Sequence, residues 1–423
     1  MIRSTVARVD LAALQSNFRA IRDFLSSDSS AARAVTAREA DRHSTAQACA
    51  AGTPPPGPPR TPPDVIAVVK ANAYGHGSER VALALEQAGA TMLACADIEE
   101  GIVLRRAGAS VPILVFGALS VSDLDGLFEF SLTPTISTPS AARAVQAAAA
   151  ARRTTVGYHL KIDTGMNRLG FRHDNLRRTL PEVLGNANLR LEAVYTHFAT
   201  ADDPDLPLFN DQRVRFEEAS KIVAELAAEP GRRSREAAKA TGPHKILRHA
   251  CNSAALLRDS RVWHDIVRPG LLLYGIVPPP LASTIPLKPV MSLTSRVVGV
   301  KGLRPGEAVG YGSRFRTETP ATIAVVPAGY ADGLDLRLEQ RGQVLIRGRR
   351  APVVGAVSMD MITVDVTGVD AVQPGDEVVI IGRQGDEPWQ QIDVREMAAA
   401  IGSIPYEIVC RIGARIERQY TPT

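Results

Sequence analysis

The chain has 423 residues, 45% of them hydrophobic, with 49 Lys and Arg against 45 Asp and Glu for a net charge of +4. That length allows two domains with real cores, and the balanced, scattered charge excludes the basic stripe of a nucleic-acid binder. The four cysteines, Cys49, Cys95, Cys251 and Cys410, stand alone, without the spacing of a disulfide framework or a metal site.

In chain order, a short strand from Thr5 to Val9 comes first. Asp10 then caps a helix that carries Leu11, Leu14, Phe18, Ile21 and Leu25 on one face. The start has no apolar leader and no run approaches a membrane span, so a soluble, cytoplasmic protein without a membrane or nucleic-acid partner is expected. Residues 27–63 break the pattern, being Ser/Ala-rich and then Pro-rich with no apolar period. The composition predicts a disordered or polyproline-type insert. A shorter insert is predicted over residues 229–244.

Between and after these inserts, eight short apolar runs alternate with helical patterns. They are VIAVV from Val65, TMLACA from Thr91, PILVFG from Pro112, LTPTI from Leu132, VGYHLKID from Val156, LRLEAVYTH from Leu189, KILRHAC from Lys245 and DIVRPG from Asp265. Helical patterns such as SERVALALEQAG from Ser78 separate most of them. Eight such units over roughly 200 residues read as a (β/α)8 TIM-type barrel, with function at the C-terminal strand ends. Alternation alone would also allow a doubly wound sheet. From about Pro289 the chain is mostly strands with Gly, Pro and Asp turns, and helix returns only at VREMAAAIG from Val394. The expected division is therefore an α/β barrel domain over 1–286 and a mostly-β C-terminal domain over 287–423.

Lys70 ends the first barrel strand and is followed by Asn72, Tyr74, Gly75, His76 and Gly77. A buried lysine is costly unless it is paired, deprotonated or chemically used; a stem along the core with its head in water is the plain alternative. Polar residues recur at other strand ends: Lys161, Asp163 and Arg168, then His197, then Asn252 and Ser253, then Arg268 and Gly270. A lysine, a tyrosine, a histidine and two arginines around one mouth point to an anionic cofactor or substrate.

Nine stretches in order, VVKANAYGHG, KIDTGMNRLG, THFATAD, CNSAA, RPGLLLYG, VGYGSRF, PAGYADG, SMD and IPYEI, make the sequence resemble the alanine racemases. These are fold-type III pyridoxal 5'-phosphate enzymes. The resemblance implies that Lys70 forms the Schiff base with pyridoxal phosphate and acts as base on one face of the substrate Cα. It implies that Tyr311 is the second base, acting across a homodimer with shared sites. Arg268 would face the pyridine nitrogen, with His197 buttressing it. Tyr74, Ser253, Tyr406 and the backbone of Gly270 and Leu271 would hold the phosphate. Arg168 and the backbone amide of Met359 would meet the substrate carboxylate. Lys161 would be either a carbamate, as in many members, or a lysine paired with Asp163; no metal is implied. The implied activity is interconversion of L- and D-alanine for peptidoglycan. A broader amino-acid racemase of the same fold and a non-catalytic pyridoxal phosphate-binding protein are the alternatives. Arg268 argues against the decarboxylases of this fold, which use an acidic partner there, and the β domain with Tyr311 argues against a single-barrel carrier.

Overall fold

The structure, a computed structural model, describes residues 4–27, 61–119, 123–229 and 245–421. Most of the two predicted inserts, 28–60 and 230–244, together with Cys49, lies outside the described residues.

All eight predicted barrel strands form. They are β2 (Asp64–Val68), β3 (Met92–Cys95), β4 (Ile113–Val115), β5 (Thr133–Ile136), β6 (Val156–Asp163), β7 (Leu189–Tyr195), β8 (Leu247–His249) and β9 (Ile266–Val267). They pair in parallel in the order β9-β2-β3-β4-β5-β6-β7-β8. Asp265 N donates to Arg248 O at 3.1 Å and Arg268 N to Cys251 O at 2.9 Å, which draws β8 and β9 together and nearly closes the ring. The strands were readable as apolar runs because both faces are covered: Val65 to Val68 are all buried. Ile66, Ala94, Leu114 and Ile266 fill one layer inside the barrel, while Val65, Ala67, Leu93 and Ile113 face outward into the helical core.

The first helix, Leu11–Ser26, is capped as predicted, with Ala13 N donating to Asp10 Oδ1 at 2.8 Å. It lies on the helix Ser78–Gln87, to which Gln15 Nε2 donates through Ala84 O.

The first strand has a different allegiance from the expected one. β1 (Val6–Asp10) pairs antiparallel with β10 (Met291–Arg296) and parallel with β17 (Glu417–Thr421), so it belongs to the sheet of the second domain. The assignment of all of 1–286 to the barrel is corrected at this strand. Between β10 and β17 the chain adds β11 (Gly299–Leu303), β12 (Ala321–Val326), β13 (Gln343–Ile346), β14 (Arg349–Val354), β15 (Ile362–Asp365) and β16 (Glu377–Gln384). The sheet runs β11-β12-β15-β14-β13-β16-β10-β1-β17, with the strand Gln390–Ile392 pairing on β16. The helices Val394–Ala400 and Pro405–Cys410 follow, and the second of these returns to the barrel mouth.

Candidate active site

The turn after β2 is the most unusual backbone in the chain. Ala71, Asn72, Ala73 and Tyr74 all have φ of +52° to +53°, a left-handed turn without a glycine. Each such residue costs roughly 1–2 kcal/mol, so surrounding contacts must impose it. Inside the turn, Ala73 N donates to Val69 O and Gly75 N to Ala71 O, each at 2.9 Å, and Ser78 N donates to Asn72 Oδ1 at 2.8 Å. His76, fully buried, bonds the carbonyls of Tyr74 and Ala73 through Nδ1. From the second domain, Arg418 Nε donates to Gly75 O at 3.1 Å. Gly75 is obligatory: φ is +80°, and a Cβ would sit 2.1 Å from Val409 O.

Lys70 opens this turn and faces a cavity of about 220 Å³ at the C-terminal ends of the barrel strands. Tyr74, Lys161, Arg168, His197, Ser253, Arg268, Gly270 and Tyr406 line the same cavity, so nine of the twelve expected site residues converge there. Leu271 is buried directly behind Gly270. Tyr311 and Met359 do not line this cavity; they sit 77% and 51% exposed on the second domain.

The cavity is strongly cationic, and the amines in it respond. Burial, followed by the Arg168 charge, lowers the Lys70 amine below the ordinary lysine range. Burial, then Arg268 and Arg168, lowers Lys161 further still. Lys161 forms no ion pair with Asp163; its Nζ lies 4.5 Å over the Tyr195 ring. The Asp163 carboxylate instead accepts from Gly165 N and Asn167 N at 2.9 and 3.1 Å and shapes the loop that carries Arg168. Burial lowers Arg268 to about 10, which leaves it a cation at neutral pH.

Arg268 is held from beneath by a polar chain inside the barrel. Nη1 donates to His249 Nδ1 at 2.7 Å, and Nη2 donates to Thr196 O and Ala250 O at 2.7 and 3.0 Å. His249 Nε2 then meets His159 Nδ1 at 2.9 Å, and the His249 ring stacks on Tyr195 at 4.6 Å with planes 7° apart. The expected buttress, His197, makes no hydrogen bond to Arg268 among the described residues. It shares the cavity, but His249 does the bracing, because its ring comes from the neighbouring strand β8 at the depth of the guanidinium. His249, His159 and Tyr195 were missed at the sequence level. The signal was the alternation of β6, which sends His159, Lys161 and Asp163 to one face.

On the opposite wall, Ser253 Oγ accepts from Gly270 N at 2.9 Å, which leaves its hydroxyl proton free to donate. A Cβ on Gly270 would come within 2.5 Å of Tyr74 Oη, so glycine is what lets the phenol reach the cavity. Tyr406, from the helix Pro405–Cys410, places its ring 6.0 Å from that of Tyr74. Burial raises both phenols, Tyr406 to about 12, so both are neutral donors at physiological pH.

Comparison with known proteins agrees with this architecture along the whole chain. The family described as alanine racemase, N-terminal domain, matches residues 59–278, and that described as alanine racemase, C-terminal domain, matches residues 290–420. The alanine racemase of Carboxydothermus hydrogenoformans is 42% identical over 362 residues, covering 84% of this chain and 92% of that relative. That of Halothermothrix orenii is 36% identical over 419 residues, covering 99% and 97%. Among solved structures, the alanine racemase from D-cycloserine-producing Streptomyces lavendulae superposes with a TM-score of 0.82 at 30% identity, covering 100% of this chain and 98% of that one. The Bacillus anthracis alanine racemase with bound L-Ala-P gives 0.79 at 32% identity, covering 100% and 96%. With both domains matched in order and the barrel mouth built from the same stretches, the chain belongs to the alanine racemase family.

Proposed function

We propose that the chain interconverts L- and D-alanine with pyridoxal 5'-phosphate as cofactor, as a cytoplasmic homodimer, and supplies D-alanine for peptidoglycan. One observation carries the reading: Lys70 presents a partly desolvated amine to a cavity that also holds Arg168, Arg268 and the hydroxyls of Tyr74, Ser253 and Tyr406.

The donor set fits that cofactor. Lys70 would hold it covalently, since a lowered amine pKa gives the neutral nucleophile that imine formation requires. Tyr74, Ser253 and Tyr406, with the backbone at Gly270 and Leu271, would hold the phosphate through neutral donors. Arg268 would face the ring nitrogen, and its Nε–H makes no hydrogen bond to protein among the described residues. As a donor that keeps its own proton, it binds that nitrogen without protonating it. His197 would line the ring's pocket as a neutral imidazole, because burial holds its pKa far down.

When bound, pyridoxal phosphate supplies an electron-withdrawing system that acidifies the substrate Cα–H. Lys70 Nζ moves the proton on one face of that carbon. Tyr311 Oη, supplied by the partner subunit, moves it on the other, and Arg168 with the Met359 amide holds the carboxylate. Action in trans is supported by exposure: Tyr311, Tyr330, Leu336, Met359 and Met361 leave large apolar side chains uncovered on the second domain, where a second copy would cover them. Lys161 is proposed to be a carbamate. Burial favours its neutral amine, the form that adds carbon dioxide, and the resulting anion would lie among Arg168 and Arg268.

Incubated with pyridoxal phosphate, the purified chain should take L-alanine and D-alanine to zero optical rotation alike. Larger L-amino acids left unchanged would set alanine apart from a broader specificity. Rotation that holds steady from both alanine enantiomers would sink the proposal.

A further inference from the structure

The left-handed turn behind Lys70 needs an outside hold at its entrance, and one side chain provides it. Glu100 sits in the first turn of the helix Ile98–Arg106, its own N–H tied to Asp97 Oδ1 at 2.8 Å. Its carboxylate reaches back in two directions: Oε1 accepts from Ala71 N at 2.6 Å and Oε2 from Ala96 N at 2.8 Å. Ala71 is the first left-handed residue after Lys70, and Ala96 directly follows β3. Glu100 is not among the residues that line the cavity.

We infer that Glu100 is a positioning residue, fixing the direction of Lys70 by clamping the entrance of the left-handed turn to the end of β3. This rests on Lys70 as the residue that carries the cofactor. Four consecutive non-glycine residues at positive φ would relax if the Ala71 amide lost its acceptor, since the right-handed and extended regions lie lower in energy. Lys70 is the hinge of that relaxation, because its backbone joins the rigid strand to the strained turn. The far end of the turn is held separately, by Arg418 on Gly75 O. A bidentate carboxylate is suited to the task, as it accepts from two amides at once and a neutral amide side chain cannot do so with both of its atoms.

The same contact carries charge. Arg168 and Arg268 lower the Lys70 amine, while Cys410 and Glu100 raise it; burial is the largest influence and acts downward. Lys161 and the neutral His197 share the cavity. The Glu100 carboxylate, like Cys410, raises Lys70 and so opposes the arginines. Loss of that charge moves the appearance of the neutral amine to lower pH.

The plain alternative is that Glu100 only caps its helix. Glu100→Gln and Glu100→Asp in the full-length enzyme separate the two. Both variants are expected to lose kcat by roughly ten- to a hundredfold with the alanine KM within twofold, as small misplacements of a reacting group do. In the cofactor-free full-length protein, acetylation of Lys70 followed by peptide mass should shift to lower pH in Glu100→Gln. It should hold its position in Glu100→Asp, which keeps the charge but not the reach. A lowered Tm with kcat within twofold of wild type in either folded variant, or an unmoved Lys70 profile in Glu100→Gln, overturns the inference in favour of capping. Lys70→Ala is the control: if borohydride still traps cofactor on that variant, the Lys70 assignment fails and not the clamp.

Discussion

Arg268 and His249 share a hydrogen bond of 2.7 Å between Nη1 and Nδ1, and its direction is fixed because a guanidinium has no acceptor. His249 must therefore accept at Nδ1 and carry its proton at Nε2, where it donates to His159 Nδ1. Burial, then the Arg268 charge, holds the His249 pKa far below its ordinary value, so the neutral tautomer this chain requires is the stable one. The barrel interior thus fixes the place of the arginine assigned to the cofactor ring and the tautomer of the histidine that braces it.

Arg268→Lys tests this arrangement. One ammonium cannot serve His249 Nδ1, Thr196 O and Ala250 O and still present a donor to the cavity. Leaving a buried acceptor unsatisfied costs about 1–3 kcal/mol, so Tm should fall by several degrees. The racemisation rate should fall by at least tenfold, because the ring nitrogen loses its fixed partner. A variant with wild-type rate and Tm would show that Arg268 is neither braced by His249 nor engaged with the cofactor.

Much of this was legible in the sequence, for physical reasons. Buried parallel strands leave unbroken apolar runs, which exposed all eight barrel strands, and Asp10 announced its helix as a cap. Lys70 stood out as a charge at the end of such a run. Three features were hidden. β1 is a half-buried strand whose partners lie some 280 and 410 positions away, so no local pattern reveals its sheet. The left-handed turn of Ala71 to Tyr74 carries no glycine, because distant contacts impose it. The buttress of Arg268 was placed at His197, a neighbour in sequence to Thr196, although the ring that meets the guanidinium comes from β8.

Lys161 should take up carbon dioxide. Addition of carbon dioxide to an amine needs the neutral form, and burial, then Arg268 and Arg168, lowers the Lys161 pKa and so favours that form. Carbon-13 bicarbonate at pH 7.5 is expected to give one carbamate resonance per chain, and the Lys161→Ala variant should lack it. A spectrum without that resonance in the wild-type protein returns Lys161 to an unmodified amine over Tyr195.

Tyr311 is 77% exposed and outside its own chain's cavity, so the proposed role as second base requires a second copy. Lys70→Ala and Tyr311→Phe homodimers should each be nearly inactive. Unfolded together and refolded in equal amounts, they should recover about a quarter of wild-type sites, since half the dimers are mixed and each mixed dimer holds one intact site. If activity in the mixture stays at the level of the separate variants, the tyrosine acts within its own chain or not at all.

Four histidines whose pKa burial lowers give the chain a pH dependence whose sign can be stated in advance. Burial lowers His76 to about 4 and His159 to about 3, and lowers His197 and His249 well below the ordinary value. An unfolded histidine titrates near about 6.5, so below that pH the unfolded chain binds protons that the folded chain refuses. Stability contributed by the neutral rings is full above about pH 7 and is lost as pH falls through about 6.5, at up to about 1.4 kcal/mol per pH unit for each ring. Carboxylates held low by arginines, such as Asp335, lose their contribution only in stronger acid. Calorimetric unfolding at pH 5.5, in two buffers of different ionisation enthalpy, should therefore show uptake by His76 and His159 of roughly 0.9 proton each, with His197 and His249 adding in the same direction. Replacing His159 by Asn should remove about one of those protons. An uptake at pH 5.5 that this replacement leaves unchanged would mean that His159 does not stay neutral in the folded barrel.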